Sequence, residues 1–174
     1  SIPRLGGAER VTGAGIYGID LSLPDALCGC VLRSQYAHAK VVSIDTGEAR
    51  SLPGVHAVVT SADVPDVRYG RSYLDRYMLA KGKVRYMGDP VAAVAAESRA
   101  IVKQALKKIK VVYEPLPVVV DPEESMKPSA PTMHEDMPLP ANLPKDAKVK
   151  NICNYTAVHV GDPDKAMAEA DVVV

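Results

Sequence analysis

The chain has 174 residues, and 21 Lys and Arg are balanced by 21 Asp and Glu. Zero net charge removes the electrostatic case for nucleic acid or an anionic membrane as the main partner. No apolar run approaches the roughly 20 residues that span a bilayer, and the first residues lack the apolar centre of a secretory signal, so the expected compartment is cytoplasmic.

The length suffices for one domain with a real core. Phe and Trp are both absent. The core must therefore be built from Val, Leu, Ile, Ala and Met, with some of the eight Tyr. Residues 1–26 read as a glycine-rich arm. Its Gly13-Ala14-Gly15 lacks the preceding strand and following helix that a dinucleotide fingerprint requires. Leu27 to Leu32 is the first predicted strand. Cys28 and Cys30 fall on one face of it, and two small apolar side chains there predict buried structural thiols. Three cysteines in a cytoplasmic chain argue against a disulfide framework, and they fall short of the four thiolates that an iron–sulfur cluster usually needs.

Val41 to Ile44 is the second predicted strand. Asp45 is expected to cap a short helix, with Glu48 completing a capping box, and Leu52-Pro53-Gly54 stops it. Val55 to Thr60 is the third strand. Residues 64–83 interleave Arg68, Tyr69, Arg71, Tyr73, Arg76 and Tyr77. Such a pattern can bind single-stranded nucleic acid by stacking and charge. With no net charge, a long surface loop packed on a neighbouring domain is the better expectation.

Lys83 to Pro117 is the most informative stretch. Val84 and Tyr86 alternate with Arg85 as in a half-buried strand, and Gly88-Asp89-Pro90 breaks the run. Val91 to Ala96 is wholly apolar with no large side chain, as in a strand buried on both faces, and its alanines allow close approach of another element. Ser98 is a helix cap. Ile101, Val102, Ala105, Leu106 and Ile109 follow on one helical face. Val111 to Tyr113 resumes a strand, which Glu114-Pro115-Leu116-Pro117 ends.

Six prolines deny residues 121–150 regular structure beyond one short helix, with Asp121 as cap and Pro122 at its first position. A stretch of this kind predicts a connector wrapped on something larger. Asp162-Pro163 starts a further helix, and Val172-Val173-Val174 reads as a strand just begun. The expectation is a piece of a longer polypeptide, divided as residues 1–120, a connector 121–150, and the truncated start of a strand–helix–strand region, 151–174.

None of this assembles a catalytic, cofactor or metal site. His38, His56, His134 and His159 show no metal-ligand spacing, and His38 reads as a structural or interface histidine. Arg33-Ser34 at a strand end could bind an anion; a carboxylate across a domain interface suits Arg better. Asp162 reads as a cap, and Glu97 and Glu114 form no working pair.

Several segments, taken in order, resemble one family. They are Arg10-Val11-Thr12-Gly13 with Tyr17 and Asp20, Leu32-Arg33-Ser34 with Ala37-His38-Ala39, Ser43-Ile44-Asp45-Thr46, and Leu52 to Thr60. Val84-Arg85-Tyr86, Gly88-Asp89-Pro90-Val91-Ala92, Tyr113 to Pro117, and Gly161-Asp162 with Ala166, Ala170 and Asp171 continue the set. Together they resemble the α/β hammerhead domain of the large subunit of molybdenum hydroxylases, the xanthine dehydrogenase and aldehyde oxidase family. Carbon monoxide dehydrogenase-like and hydroxybenzoyl-CoA reductase-like large subunits are the most similar in style. Gln35 departs from the family's frequent proline, and Asp89 stands where glutamine or glutamate is also common.

The resemblance implies an α+β fold, with a mixed sheet, one main packed helix, short helices and long irregular connectors. It implies a full subunit that holds molybdopterin (the molybdenum cofactor) and a glutamate base on later domains. Iron–sulfur and flavin (FAD) centres would sit in partner domains or subunits. This chain would be an inactive structural part of an enzyme acting on aldehydes, N-heterocycles, aromatic acyl-CoA or CO. It would pack against the remaining molybdenum-binding domains, with Arg33, Ser34, His38 and Asp89 as interface candidates. The alternative is a stand-alone interaction or small-ligand-binding module, which the Tyr/Arg loop motivates.

Overall fold

The computed structural model describes residues 4–21, 23–71, 73–144, 146–158 and 160–173. Its centre is the small-residue strand β7 (Pro90–Ala96), flanked by β1 (Cys28–Arg33) and β3 (Val55–Thr60) in a three-stranded sheet ordered β1-β7-β3. Both pairings are antiparallel. The Ser98 hydroxyl accepts a hydrogen bond from the Ile101 N–H at 3.3 Å and starts α3 (Arg99–Lys108). Lys107 and Lys108 sit in its last turn, where the helix dipole favours cations.

Val102 and Ala105 bury the inner face of α3 against Val58, Ala92, Val94 and Ala96, and Ile109 just past its end joins them. Ala49, Ala92, Ala96 and Ala105 are each 0% exposed. The small side chains let helix and sheet approach closely, as the composition of this stretch predicts.

From α3 the chain returns in β8 (Lys110–Pro115), which pairs antiparallel with β2 (Ala39–Asp45). The short β6 (Lys83–Val84) lies on the other edge of β2. A second core cluster, Ala39, Ala80, Val84 and Val91, fills the space beside this sheet, and Ile44 and Val111 touch both clusters. The expected single sheet is thus divided into two three-stranded sheets, with a two-residue ribbon of β4 (Arg68–Tyr69) and β5 (Arg76–Tyr77). The other helices are short: α1 (Gly7–Thr12), a 3-10 turn at Gly18–Asp20, α2 (Gly47–Arg50), α4 (Pro122–Met126) and α5 (Pro163–Ala168). The class is the expected α+β.

Local capping follows the sequence at Asp121 and Asp162, as it does at Ser98. Asp121 accepts from the N–H groups of Glu123 and Glu124 at 2.8 and 3.1 Å, and Asp162 accepts from Lys165 N–H at 3.0 Å. At α2 the expectation fails. Thr46 is the N-cap residue, with no side-chain cap bond, while the Asp45 carboxylate accepts from Gly47 N–H one residue early, at 2.9 Å. Glu48 does not reach back to close a capping box; its carboxylate is drawn to Lys108, at 3.3 Å, and to Lys110.

Three further expectations change. Strand β6 stops at Val84, because the Asp89 carboxylate takes the Arg85 N–H at 3.0 Å and Gly88 turns the chain at φ 92°. Tyr86 is therefore exposed. Cys28 is half-buried against the core and Cys30 is exposed, because the packing over this face of β1 reaches Cys28 and Leu32 but not Cys30. Val172 and Val173 are exposed and lie in no strand; Val174 and His159 are outside the described residues.

Among the described residues the connector after α4 has no regular structure to residue 153, but it is tied to itself. Asn151, at φ 55°, accepts from Met133 N–H at 2.8 Å. Its amide also donates to the Ser125 and Pro131 carbonyls at 2.9 and 3.0 Å.

Candidate functional site

The interface candidates lie where β1 leaves the sheet. The register with β7 shifts between Leu32 and Arg33, and Arg33 comes opposite Pro90, which has no N–H to continue the ladder. The chain compensates with bonds to the 85–89 turn. Ser34 N–H donates to Asp89 O, and Gly88 N–H to Ser34 O, both at 2.9 Å. The Arg33 Nη1 donates to Gly88 O at 2.9 Å. The Ser34 hydroxyl donates to Tyr36 O at 2.9 Å and accepts from Tyr36 N–H at 3.0 Å, folding the loop on itself.

His38 stands apart from this knot. Its Nδ1 carries the proton, because the Pro117 carbonyl 2.7 Å away can only accept. Leu116 N–H donates to His38 O at 3.0 Å, closing the loop onto the end of β8. His38 Nε2 is buried without a hydrogen-bond partner. The structure therefore brings Arg33, Ser34 and Asp89 together and ties His38 to the end of β8 instead. Ser34, His38 and Asp89 are 4%, 4% and 8% exposed; their side chains shape the loop from inside. Arg33 and Tyr36 form its outer surface, and the Tyr36 ring packs on Tyr113 with centroids 5.0 Å apart.

Burial pushes the Asp89 carboxyl above the ordinary carboxylate range, against the Arg85 N–H and guanidinium, which lower it. The sign of the consequence follows from linkage. A carboxyl whose folded pKa is raised contributes most to stability below its unfolded value, and that contribution falls as pH rises through the folded value. Asp89→Asn keeps an oxygen for the Arg85 N–H and never ionises. It is therefore expected to be more stable than the parent at pH 7, with the gap closing at about pH 3.5. Urea unfolding of the pair at both pH values checks this, and a less stable Asn variant at pH 7 would contradict it.

Sequence reasoning missed a cluster of cations that fasten the connector. Lys83 pairs with Glu135 at 2.6 Å, Arg85 Nε donates to Met133 O at 3.0 Å, and Arg68 pairs with Asp136 and donates to the Tyr77 hydroxyl at 2.8 Å. His134 lies among them, its pKa lowered by burial first and by the neighbouring Arg85. The available signal was the alternation Lys81, Lys83, Arg85, which puts three cations on one face, and the facing acidic pair Glu135-Asp136.

Among the described residues, no group of three or more His, Cys, Asp or Glu side chains converges on one point. Cys28 and Cys30 lie on β1, whereas Cys153 lines a cleft beside the connector. This donor set does not fit an iron–sulfur cluster, which usually needs four thiolates, and no step of a reaction is derived through one.

Residues 12–117 match the family described as aldehyde oxidase and xanthine dehydrogenase, a/b hammerhead domain. The chain belongs to that family. It is 47% identical over 131 residues to a probable xanthine dehydrogenase subunit of Bacillus subtilis, an alignment that covers 75% of this chain and 18% of that protein. It is 42% identical over 129 residues to the carbon monoxide dehydrogenase large chain of Afipia carboxidovorans, covering 72% and 16% respectively.

Solved structures agree. A Cu,Mo-CO dehydrogenase in its carbon monoxide reduced state superposes with a TM-score of 0.71 at 39% identity, over 79% of this chain and 18% of that one. The aldehyde oxidoreductase of Desulfovibrio gigas gives 0.68 at 32% identity, over 78% and 16%. The hammerhead chain thus spans under a fifth of the length of these relatives. Among the described residues, no helix is long and apolar enough to cross a membrane.

Proposed function

We propose that this chain is a structural domain of the molybdopterin-binding large subunit of a molybdenum-dependent oxidoreductase, inactive on its own. The observation that carries the reading is the match of its hammerhead to under a fifth of proteins named as dehydrogenase large chains or subunits. The reactive metal and its pterin belong to other domains of the subunit. Iron–sulfur and flavin centres belong to partner domains or subunits. The whole enzyme is a cytoplasmic dehydrogenase or hydroxylase of aldehydes, N-heterocycles, aromatic acyl-CoA or CO.

In this reading residues 1–120 are the hammerhead, 121–150 the connector, and 151–174 the start of the following region. The 33–39 loop meets the next domain through Arg33 and the Tyr36 ring. Ser34, His38 and Asp89 are positioning residues that hold the loop in its docking shape. A buried loop skeleton with an exposed Arg and Tyr suits such a contact, since both residue types are enriched at interfaces.

The test is the native reading frame. Continuation past Val174 for several hundred residues, encoding molybdopterin-binding domains, is the expected result. A stop codon directly after Val174, with a stable monomeric product, would instead favour the stand-alone interaction module, for which the exposed Tyr/Arg surface of β4 and β5 speaks.

A further inference from the structure

We propose that the clefts meeting at Asp75 form one docking trench for an extended, acidic and apolar segment of the remainder of the large-subunit polypeptide. The proposal rests on the domain reading above and names the surface and the chemistry of its partner.

Three clefts of about 400, 360 and 420 Å³ all include Asp75 in their walls. The first and second also share His134, the first and third Tyr73, and the second and third Arg76. They therefore adjoin one another around Asp75. The first has an apolar wall of Met133, Met137, Leu139, Val149 and Ile152. The third cleft carries Arg71 and Arg76, and the second carries Arg76 and Arg85.

The charges are unequally committed. Lys81, Lys83 and Arg68 are held by Asp66, Glu135 and Asp136. Among the described residues, Arg71 and Arg85 have no carboxylate partner, and Arg76 has only Asp75 at 4.0 Å. Of the other facing carboxylates, Glu135 is taken by Lys83 and Asp89 accepts the Arg85 N–H. Asp75 and Asp89 thus stand against three guanidiniums, because a backbone N–H does not cancel the Asp89 charge, and the surplus cation makes an anionic side chain the complement.

Two features favour an extended polypeptide over a small molecule. Small-ligand sites are usually single concave pockets with mostly apolar walls, whereas this surface is a row of adjoining clefts rich in Tyr and Arg, the composition of interface hot spots. The β4–β5 ribbon is also a two-stranded sheet with both outer edges unpaired, and such edges accept an added strand. The share of the relatives' length outside this chain supplies the partner: the aligned part is only 16–18% of the first relatives.

The experiment expresses the 174-residue chain and the product of the reading frame downstream of Val174 as two polypeptides. Their affinity is measured at 50 and 300 mM NaCl. The parent chain is expected to bind, and to bind more weakly at high salt. The exposed double variant Arg71→Glu/Arg76→Glu is expected to bind about tenfold more weakly at low salt and to lose the salt dependence. Lys103→Glu, on the exposed face of α3, should change nothing. If the double variant fails to fold, Arg71→Gln and Arg76→Gln, made singly, should each weaken binding about threefold. Parent binding that the Arg variants leave unchanged overturns the trench and spares the domain reading. No binding by the parent chain to a downstream product that is folded by circular dichroism overturns the trench alone, and the absence of any downstream product overturns both.

Discussion

Gly54→Val is expected to destabilise the domain by about 3 kcal/mol or more. Gly54 closes the turn between α2 and β3 at φ 79°, and its carbonyl accepts the Glu97 N–H at 3.0 Å beside the start of α3. A left-handed backbone costs an L-residue about 1–2 kcal/mol. A Cβ at this position would also stand 2.7 Å from Ile101 Cδ1 and 3.2 Å from Glu97 Oε2, and overpacking adds about 1–3 kcal/mol. Gly54→Ala is expected to lose less, because the Ile101 terminal methyl can swing away from one methyl group. Urea unfolding separates the two variants. A Val variant within about 1 kcal/mol of the parent would show that the turn does not set the approach of α3.

Ala105→Leu is the second large effect, about 3 kcal/mol by the same measurement. Ala105 is fully buried with Ala49, Ala92 and Ala96. The extra carbons have no void to enter in a close-packed core, so α3 must lift from β7 and expose the Val102 contact. Leu106, one residue on, is tolerated because its side chain is only half-buried at the edge of the same cluster. An Ala105→Leu protein as stable as the parent would mean that the small residues of β7 serve no close helix–sheet contact.

Those two sites also mark what the sequence makes legible. A strand with no large side chain from Val91 to Ala96 and a Ser-capped amphipathic helix after it carry their own signals: apolar periodicity and a hydroxyl at the right place. Asp121-Pro122 and Asp162-Pro163 are equally local, and both cap helices. Asp45 misled because an Asx side chain can satisfy several nearby N–H groups, and here two lysines brought to one side of α2 by α3 and β8 decide where Glu48 goes. Cys30 misled because alternation assigns a face but not whether that face is covered.

The candidate site was legible only in part. Arg33 and Ser34 stand out at a strand end, yet Arg33 meets Gly88 across 55 positions of sequence. That meeting depends on the β1–β7 register and its shift at Arg33, which no local pattern encodes. The inward burial of Ser34, His38 and Asp89 follows from it. The fastening of the connector is similarly remote: Lys83 and Glu135 are 52 positions apart. Alternating cations and an acidic pair hint at it only once the strands are in place. The division of labour was read from the resemblance, and the ordered motifs that carried it fall mostly within the residues the family match covers.

The most direct measurement of the central claim is the molybdenum and pterin content of the 174-residue chain purified from cells that load the relatives' cofactor. A folded chain that retains neither, while the longer polypeptide containing it retains both, is the predicted result. Stoichiometric molybdopterin on the 174-residue chain alone would contradict the account, because the metal would then be held by residues assigned here to support.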